Sequence, residues 1–284
     1  MTAAVVTPIS PRSAFLRLEL ADALRSRWVV FTAAVYTLVF GAFVWLGLRE
    51  SSVLGFTGLS RVVLNMANAV AIVLPLVSLV ATSQAVVRAR SNGFFELFLA
   101  QPARRGNWFS AMLLSRLLVI AGPLIALLLV VLGVGLARGE AHLLPLVCKS
   151  ALVTLALTWA FVGIGFWLSA LARTPERATV YALVAWLAAS ALHDFALIGV
   201  LLKVRLAPQV VFALAAANPV ESARLAILSG VDPELSVLGP VGFWLANTLG
   251  SQLMFSIGVV WPLVLGALCI AAAARRLHRM DLVS

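Results

Sequence analysis

The sequence predicts an all-α integral membrane protein with six transmembrane helices, and three observations carry that prediction. Of 284 residues, 62% are apolar and 11% charged, with a mean hydropathy of +1.06; soluble domains run near half apolar and a quarter charged. The apolar residues gather into runs of about 20, the length a helix needs to cross the hydrocarbon. The formal charge of +10, from 21 Lys/Arg against 11 Asp/Glu, is spread between those runs. It therefore reads as membrane topology; nucleic-acid binding is excluded, since no basic patch interleaved with aromatics stands free of the spans. Open sheets cannot satisfy their backbone in lipid, so the bundle is helical. Residues 1–284 read as a single transmembrane domain.

The first element is residues 11–27, "PRSAFLRLELADALRSR". At 100° per residue Glu19, Asp22 and Ser26 form a polar stripe, while Leu20, Ala21, Leu24 and Trp28 form an apolar arc on another side. This predicts an amphipathic helix lying along the interface, with Arg17 able to snorkel. The spans follow at 28–48, 62–87, 117–136, 150–172, 178–202 and 253–274. The first run is longer than the core of a secretory signal and lacks a small-x-small cleavage site, so it is expected to remain as a span. Residues 203–252 are apolar but broken by Pro208, Pro219, Pro233 and Pro240, with Gly230, Gly239 and Gly242. They predict short helices or a re-entrant hairpin on the external side, not further full spans.

Orientation follows from the basic residues. Arg12, Arg17, Arg25, Arg27, Arg88, Arg90, Arg104, Arg105, Arg116, Arg173, Arg177, Arg275, Arg276 and Arg279 fall on one side, twice the number on the other, which holds Arg49, Arg61, Arg138, Lys149, Lys203, Arg205 and Arg224. The richer side is expected to be cytoplasmic, with both termini there. Cys148 and Cys269 have no CxxC or Cys/His metal spacing and read as small core residues.

Between the second and third spans lies "GFFELFLAQPARRGNWF", Gly93 to Phe109. Phe94, Leu97 and Phe98 fall at i, i+3, i+4 and share a face, which Phe95 and Leu99 widen; Gly93 breaks the preceding helix and Pro102 stops this one. Residues 93–105 thus predict a short cytoplasmic helix with an oily face. Such a face either binds a partner or lies flat on the headgroups and bundle ends.

Polar residues inside spans are expensive and face protein or water. Asn65, Asn68, Ser78, Thr82 and Ser83 occupy one arc of the second span, around Pro75. They either line a path or act as interhelical hydrogen-bond glue. His193 and Asp194 lie in the fifth span, toward the outer side. Asp194 is either a path-lining group or a paired structural carboxylate. Gly163 and Gly165 in the fourth span, and Gly135 and Gly139 at the end of the third, read as close-packing positions.

The chain resembles the ABC-2 type transporter permeases over nearly its whole length. "LRLELADALRSRW" resembles their elbow helix, with Glu19, Asp22 and the closing Arg25, Arg27 and Trp28. Gly93, Glu96, Pro102 and Arg105 match the Gly-x-x-Glu-x-x-x-x-x-Pro pattern, with arginine soon after, of the family's coupling helix; Phe94, Leu97, Phe98 and Arg104 belong to the same stretch. "LSALARTPERA" resembles the turn between spans four and five. "NPVESARLAILSG", Asn218 to Gly230, is similar to the subgroup serving nitrous oxide reductase maturation. One departure is "RARSNGFF", where relatives often carry acidic residues before the glycine and a threonine after it.

The resemblance implies a bacterial inner-membrane permease that dimerises and couples ATP hydrolysis by a separate ABC ATPase to export or translocation. It implies ATP and Mg in that partner, no cofactor on this chain, and a periplasmic accessory protein. Asn65, Asn68, Thr82, His193 and Asp194 become candidates for a pathway, since the second and fifth spans flank the family's dimer axis. No G-x-x-x-x-G-K-[ST] occurs, so the P-loop must lie elsewhere. An ion-coupled secondary transporter is the alternative, against which no similarity relates the two three-span halves. An intramembrane metallohydrolase is disfavoured: HExxH is absent and His142, His193 and His278 fall at different levels.

Overall fold

The computed structural model describes residues 11–25, 30–32, 34–39, 41–42, 58–93, 105–137, 139, 143–204, 206–231 and 239–279. Its helices are α1 (Pro11–Arg25), α2 (Gly58–Ser83), α3 (Ala85–Ser91), α4 (Arg105–Ala137), α5 (Leu143–Leu171), α6 (Pro175–Leu187), a π-helical turn (Ala188–Leu192), α7 (His193–Lys203), α8 (Pro208–Ala217), α9 (Pro219–Val231), α10 (Gly239–Thr248) and α11 (Gly250–Arg279). Among the described residues there is no strand. Five helices are long and apolar enough to cross a membrane: Ile72–Ser91, Gly106–Ala137, Leu144–Leu171, Pro175–Lys203 and Gly250–Arg279. They overlap the last five predicted spans, the first of them, Ile72–Ser91, starting later than the expected 62. Of the first, 28–48, the apolar helix Val30–Val39 is described in part.

Breaks fall where the chain supplies them. Gly93 and Gly250 take φ of 69° and 73°, which an L side chain rarely adopts, and each ends a helix. Pro175 opens α6 at its first turn, where a missing N–H costs nothing, and the Thr174 side chain accepts a 3.4 Å bond from the Arg177 N–H.

Helix α5 is the central post, packed against α2, α4, α9 and α11. Val153, Leu157, Ala160, Phe161, Val162 and Phe166 are all buried. In lipid the hydrophobic effect gives helices little reason to associate, so close packing must do it. Here glycines permit the approach. A Cβ on Gly163 would sit 2.6 Å from Gly266 O, and one on Gly266 2.8 Å from Trp159 O. A Cβ on Gly165 would collide with Thr82 Oγ1. Phe109 packs edge-on against Phe166, centroids 5.4 Å apart.

The segment after the fifth span does not stay on the surface. Helices α8 and α9 meet at Asn218 with a bend of 114°, because Pro219 cannot continue α8 and holds the residue before it extended. Val220, Ser222, Ala223, Ala226 and Ile227 of α9 are buried, against α5, α11 and α2. The corner reaches the interior of the bundle. Asn218 Nδ2 donates to Ala189 O at 2.6 Å, and Ala189 lies midway along Pro175–Lys203. Trp261 Nε1 donates to Ala217 O at 3.0 Å, roughly 16 Å along α11 from its start at 1.5 Å per residue. Within 203–252 the described helices include a pair bent at Asn218, a broken span or a re-entrant hairpin, whose corner packs beside Ala189 and Trp261.

Candidate functional site

Two polar regions interrupt the apolar bundle. The first lies where α9 passes the π-helical turn and α7. Asp194 opens α7, and Arg224 sits one turn after Glu221 on α9. Arg224 Nη1 donates to Glu221 Oε1 at 2.6 Å and approaches Asp194 Oδ2 at 3.5 Å. The three side chains are 24, 19 and 34% exposed for Arg224, Glu221 and Asp194. Each charge would be costly in lipid alone; grouped, they offset one another. The balance is incomplete. Two carboxylates face one guanidinium, and Arg224 Nε and His193 Nε2 are buried with no partner among the described residues.

The π-helical turn explains how the cluster is held. One extra residue in the turn frees a backbone carbonyl, and such turns mark functional places in helices. Asn218 Nδ2 donates to Ala189 O within that turn, while its Oδ1 accepts from Val220 N at 2.9 Å. One side chain thus caps α9 and fastens it to the fifth span. Among the described residues no group of three His, Cys, Asp or Glu side chains is placed to hold a metal.

The second region is the basic end of the bundle. Ser169 Oγ of α5 accepts from both Val86 N and Val87 N, at 2.9 and 3.1 Å, the first-turn N–H groups that α3 cannot satisfy itself. Arg90 Nη2 donates to Ala172 O and Arg173 O, both at 3.1 Å. Arg276 Nε donates to Ala170 O at 2.9 Å. Gln84 Nε2 donates to Thr179 Oγ1 at 2.6 Å. The segment leading into Gly93 is thereby fixed to the ends of α5 and α6 by directional bonds, with α11 braced to the same end of α5.

The predicted residues divide accordingly. Glu19 is half-buried and accepts from Trp108 Nε1 at 3.2 Å. With Phe15 it turns toward the bundle, so the stripe read as polar supplies a contact to α4. Asp22 and Arg25 lie in α1, Arg25 exposed; Arg27 and Trp28 fall outside the described residues. So do Phe94, Glu96, Leu97, Phe98, Pro102 and Arg104. Gly93 is the positive-φ turn closing α3, and Arg105 begins α4. Asn65 and Asn68 lie in α2 without described side chains. Thr82 is fully buried and donates back to Ser78 O at 2.6 Å, against Gly165. Glu221, Arg224, Asn218 and Ser169 were missed. Arg224 counted only as an outer-side charge, although its i, i+3 spacing from Glu221 and the Asn-Pro before it were visible signals.

These features define a multi-pass membrane protein of the transporter-permease class. A family model described as "ABC-2 family transporter protein" matches residues 14–282, and the chain belongs to the ABC-2 transporter family. It is 26% identical to the probable ABC transporter permease protein NosY of Stutzerimonas stutzeri over 257 residues, 86% of this chain and 89% of that protein. It is 28% identical to the protein of that name from Pseudomonas aeruginosa over 228 residues, 76% of this chain and 81% of the relative.

Proposed function

We propose that this permease is the non-catalytic membrane half of an ABC transporter, present in two copies, with ATP and Mg handled by a separate ATPase that grips residues 93–105 on the cytoplasmic face. The observation that carries the proposal is the fixing of α3 to α5 through Ser169 and Arg90. A force applied just beyond Gly93 passes into the central post through short, directional bonds instead of dissipating in a loop. Rigid-body displacement is how such couplings work, and aromatic anchors at 94–98 are the residue types that dominate docking.

A second copy is assigned to the face of Pro175–Lys203, where Val184, Phe195 and Leu202 are 59, 71 and 83% exposed. Between copies, the Asp194–Glu221–Arg224 cluster and His193 would border the path near its outer mouth, where they offer polar contacts to cargo. The likeness of Asn218–Gly230 to the nitrous oxide reductase subgroup, and the names of the relatives, point to delivery of a maturation factor for a metalloenzyme, received outside by an accessory protein.

The test is co-purification. Expressed with the ATP-binding subunit encoded beside it, the wild-type chain should retain that subunit. Replacing Phe94, Leu97 and Phe98 by Ser should abolish retention while leaving membrane insertion intact. Undiminished retention by the triple variant would overturn the assigned docking helix.

A further inference from the structure

At the basic end, an open recess of about 580 Å³ lies between α5 and α11, lined by Trp167, Leu171, Ala272, Arg275, Arg276 and Arg279. Basic residues at span ends are expected on topological grounds, but that rule asks only for their number. Their arrangement here is more specific. Arg276 is held by its bond to Ala170 O. Arg275 and Arg279, four residues apart on one face, have no ion pair or hydrogen bond among the described residues, and neither does the Trp167 indole N–H. Val264 and Leu268, 44 and 61% exposed, continue the same face of α11 toward the membrane interior at i, i+4 and i+8 to Ala272.

We propose that this recess is a binding site for an anionic phospholipid. The phosphodiester sits between the Arg275 and Arg279 guanidiniums, Trp167 donates to an ester or phosphate oxygen, and one acyl chain follows Leu268 and Val264. Guanidinium matches phosphate by two parallel donors, basic recesses between span ends suit lipid headgroups, and indole is at home at that depth. A soluble anion would use the arginines but leave the apolar strip below them uncovered. The site needs only a bilayer around α5 and α11 and is independent of the ATPase reading.

The full-length chain, delipidated in detergent, is titrated with phosphatidylglycerol or phosphatidylcholine of identical tails. Bound lipid is counted by native mass spectrometry and the unfolding midpoint followed in parallel. Phosphatidylglycerol should bind and raise the midpoint, and Arg275→Gln/Arg279→Gln should weaken it about thirtyfold, two surface charges' worth. Arg275→Lys/Arg279→Lys, which keeps the charge and guards against misfolding of the first variant, should stay within about fivefold of wild type. Equal binding of phosphatidylcholine would overturn the proposal. So would inorganic phosphate reproducing the whole midpoint shift, which would make this a soluble-anion site, or the Gln pair losing the ATPase subunit while binding phosphatidylglycerol undiminished.

Discussion

The fourth and fifth spans are nearly the same length, Leu144–Leu171 and Pro175–Lys203, both apolar and joined by a three-residue turn. Their situations are opposite. Within its apolar window α5 is about three-fifths buried, whereas the α6–α7 window has no buried position. The first is an unbroken α-helix packed against four other helices, with glycines where other backbones come close. The second is interrupted at its midpoint by a π-helical turn; its first half buries Ala178 and Ala182 against the bundle, and its other ties are few and polar: Gln84 to Thr179, Trp186 Nε1 to Ile72 O, Asn218 to Ala189 O and Arg224 to Asp194. In a medium that supplies no hydrophobic drive between helices, interlocking surfaces make a fixed element, and a few polar fasteners make one that can be repositioned.

The sharpest separation should come from one substitution made in each span. Gly163→Leu places side-chain atoms where Gly266 O already stands and should prevent accumulation of monodisperse protein on size exclusion. Gly199→Leu in α7, with nothing within 4 Å, should accumulate like wild type. Equal yields would erase the distinction between the two spans. Next in size is Arg224→Gln, which leaves Asp194 and Glu221 facing each other without a cation. Unpairing buried charges costs about 3 kcal/mol, reduced here because the group is partly exposed. A clearly lowered thermal midpoint is expected, with most of it restored when Glu221→Gln is added; no restoration would mean that the guanidinium acts through packing alone.

Asn218→Ala removes two hydrogen bonds at the corner and should cost about 1–2 kcal/mol, seen as a lower midpoint together with faster amide exchange confined to α6–α9. The smallest change is expected from Phe195→Ala. At 71% exposed it should alter the stability of the single chain by less than about 0.5 kcal/mol, while cross-linking between tagged copies falls if the second copy sits on that face.

Much of this was legible in the sequence, for reasons of length and charge. Apolar runs of about 20 residues located five helices, prolines announced the break-up of 203–252, and Gly163 and Gly165 were recognisable as close-approach positions. What the chain hides is depth and partnership. Ala188, Ala189, Ser190, Ala191 and Leu192 are unremarkable in any helix, so nothing marks the π-helical turn, and nothing near it announces Asn218, 29 residues away, as the donor to Ala189 O. Arg224 sits in an apolar segment that charge counting assigns to an outer loop, yet α9 carries it into the bundle beside Asp194. Glu19 reads as the wet face of an interfacial helix until Trp108, 89 residues on, presents an indole N–H to it. Periodicity reports which faces are greasy; it carries no information on which distant donor meets which acceptor.

The indoles of Trp159, Trp186 and Trp261 donate to the main-chain oxygens of Leu263, Ile72 and Ala217, at 3.1, 3.1 and 3.0 Å. Every amino acid offers that same oxygen. Those three positions can drift to other side chains without loosening the cross-braces, so the burden of keeping the bundle registered rests on the tryptophans and leaves their neighbours at liberty to adapt to new cargo or new lipid.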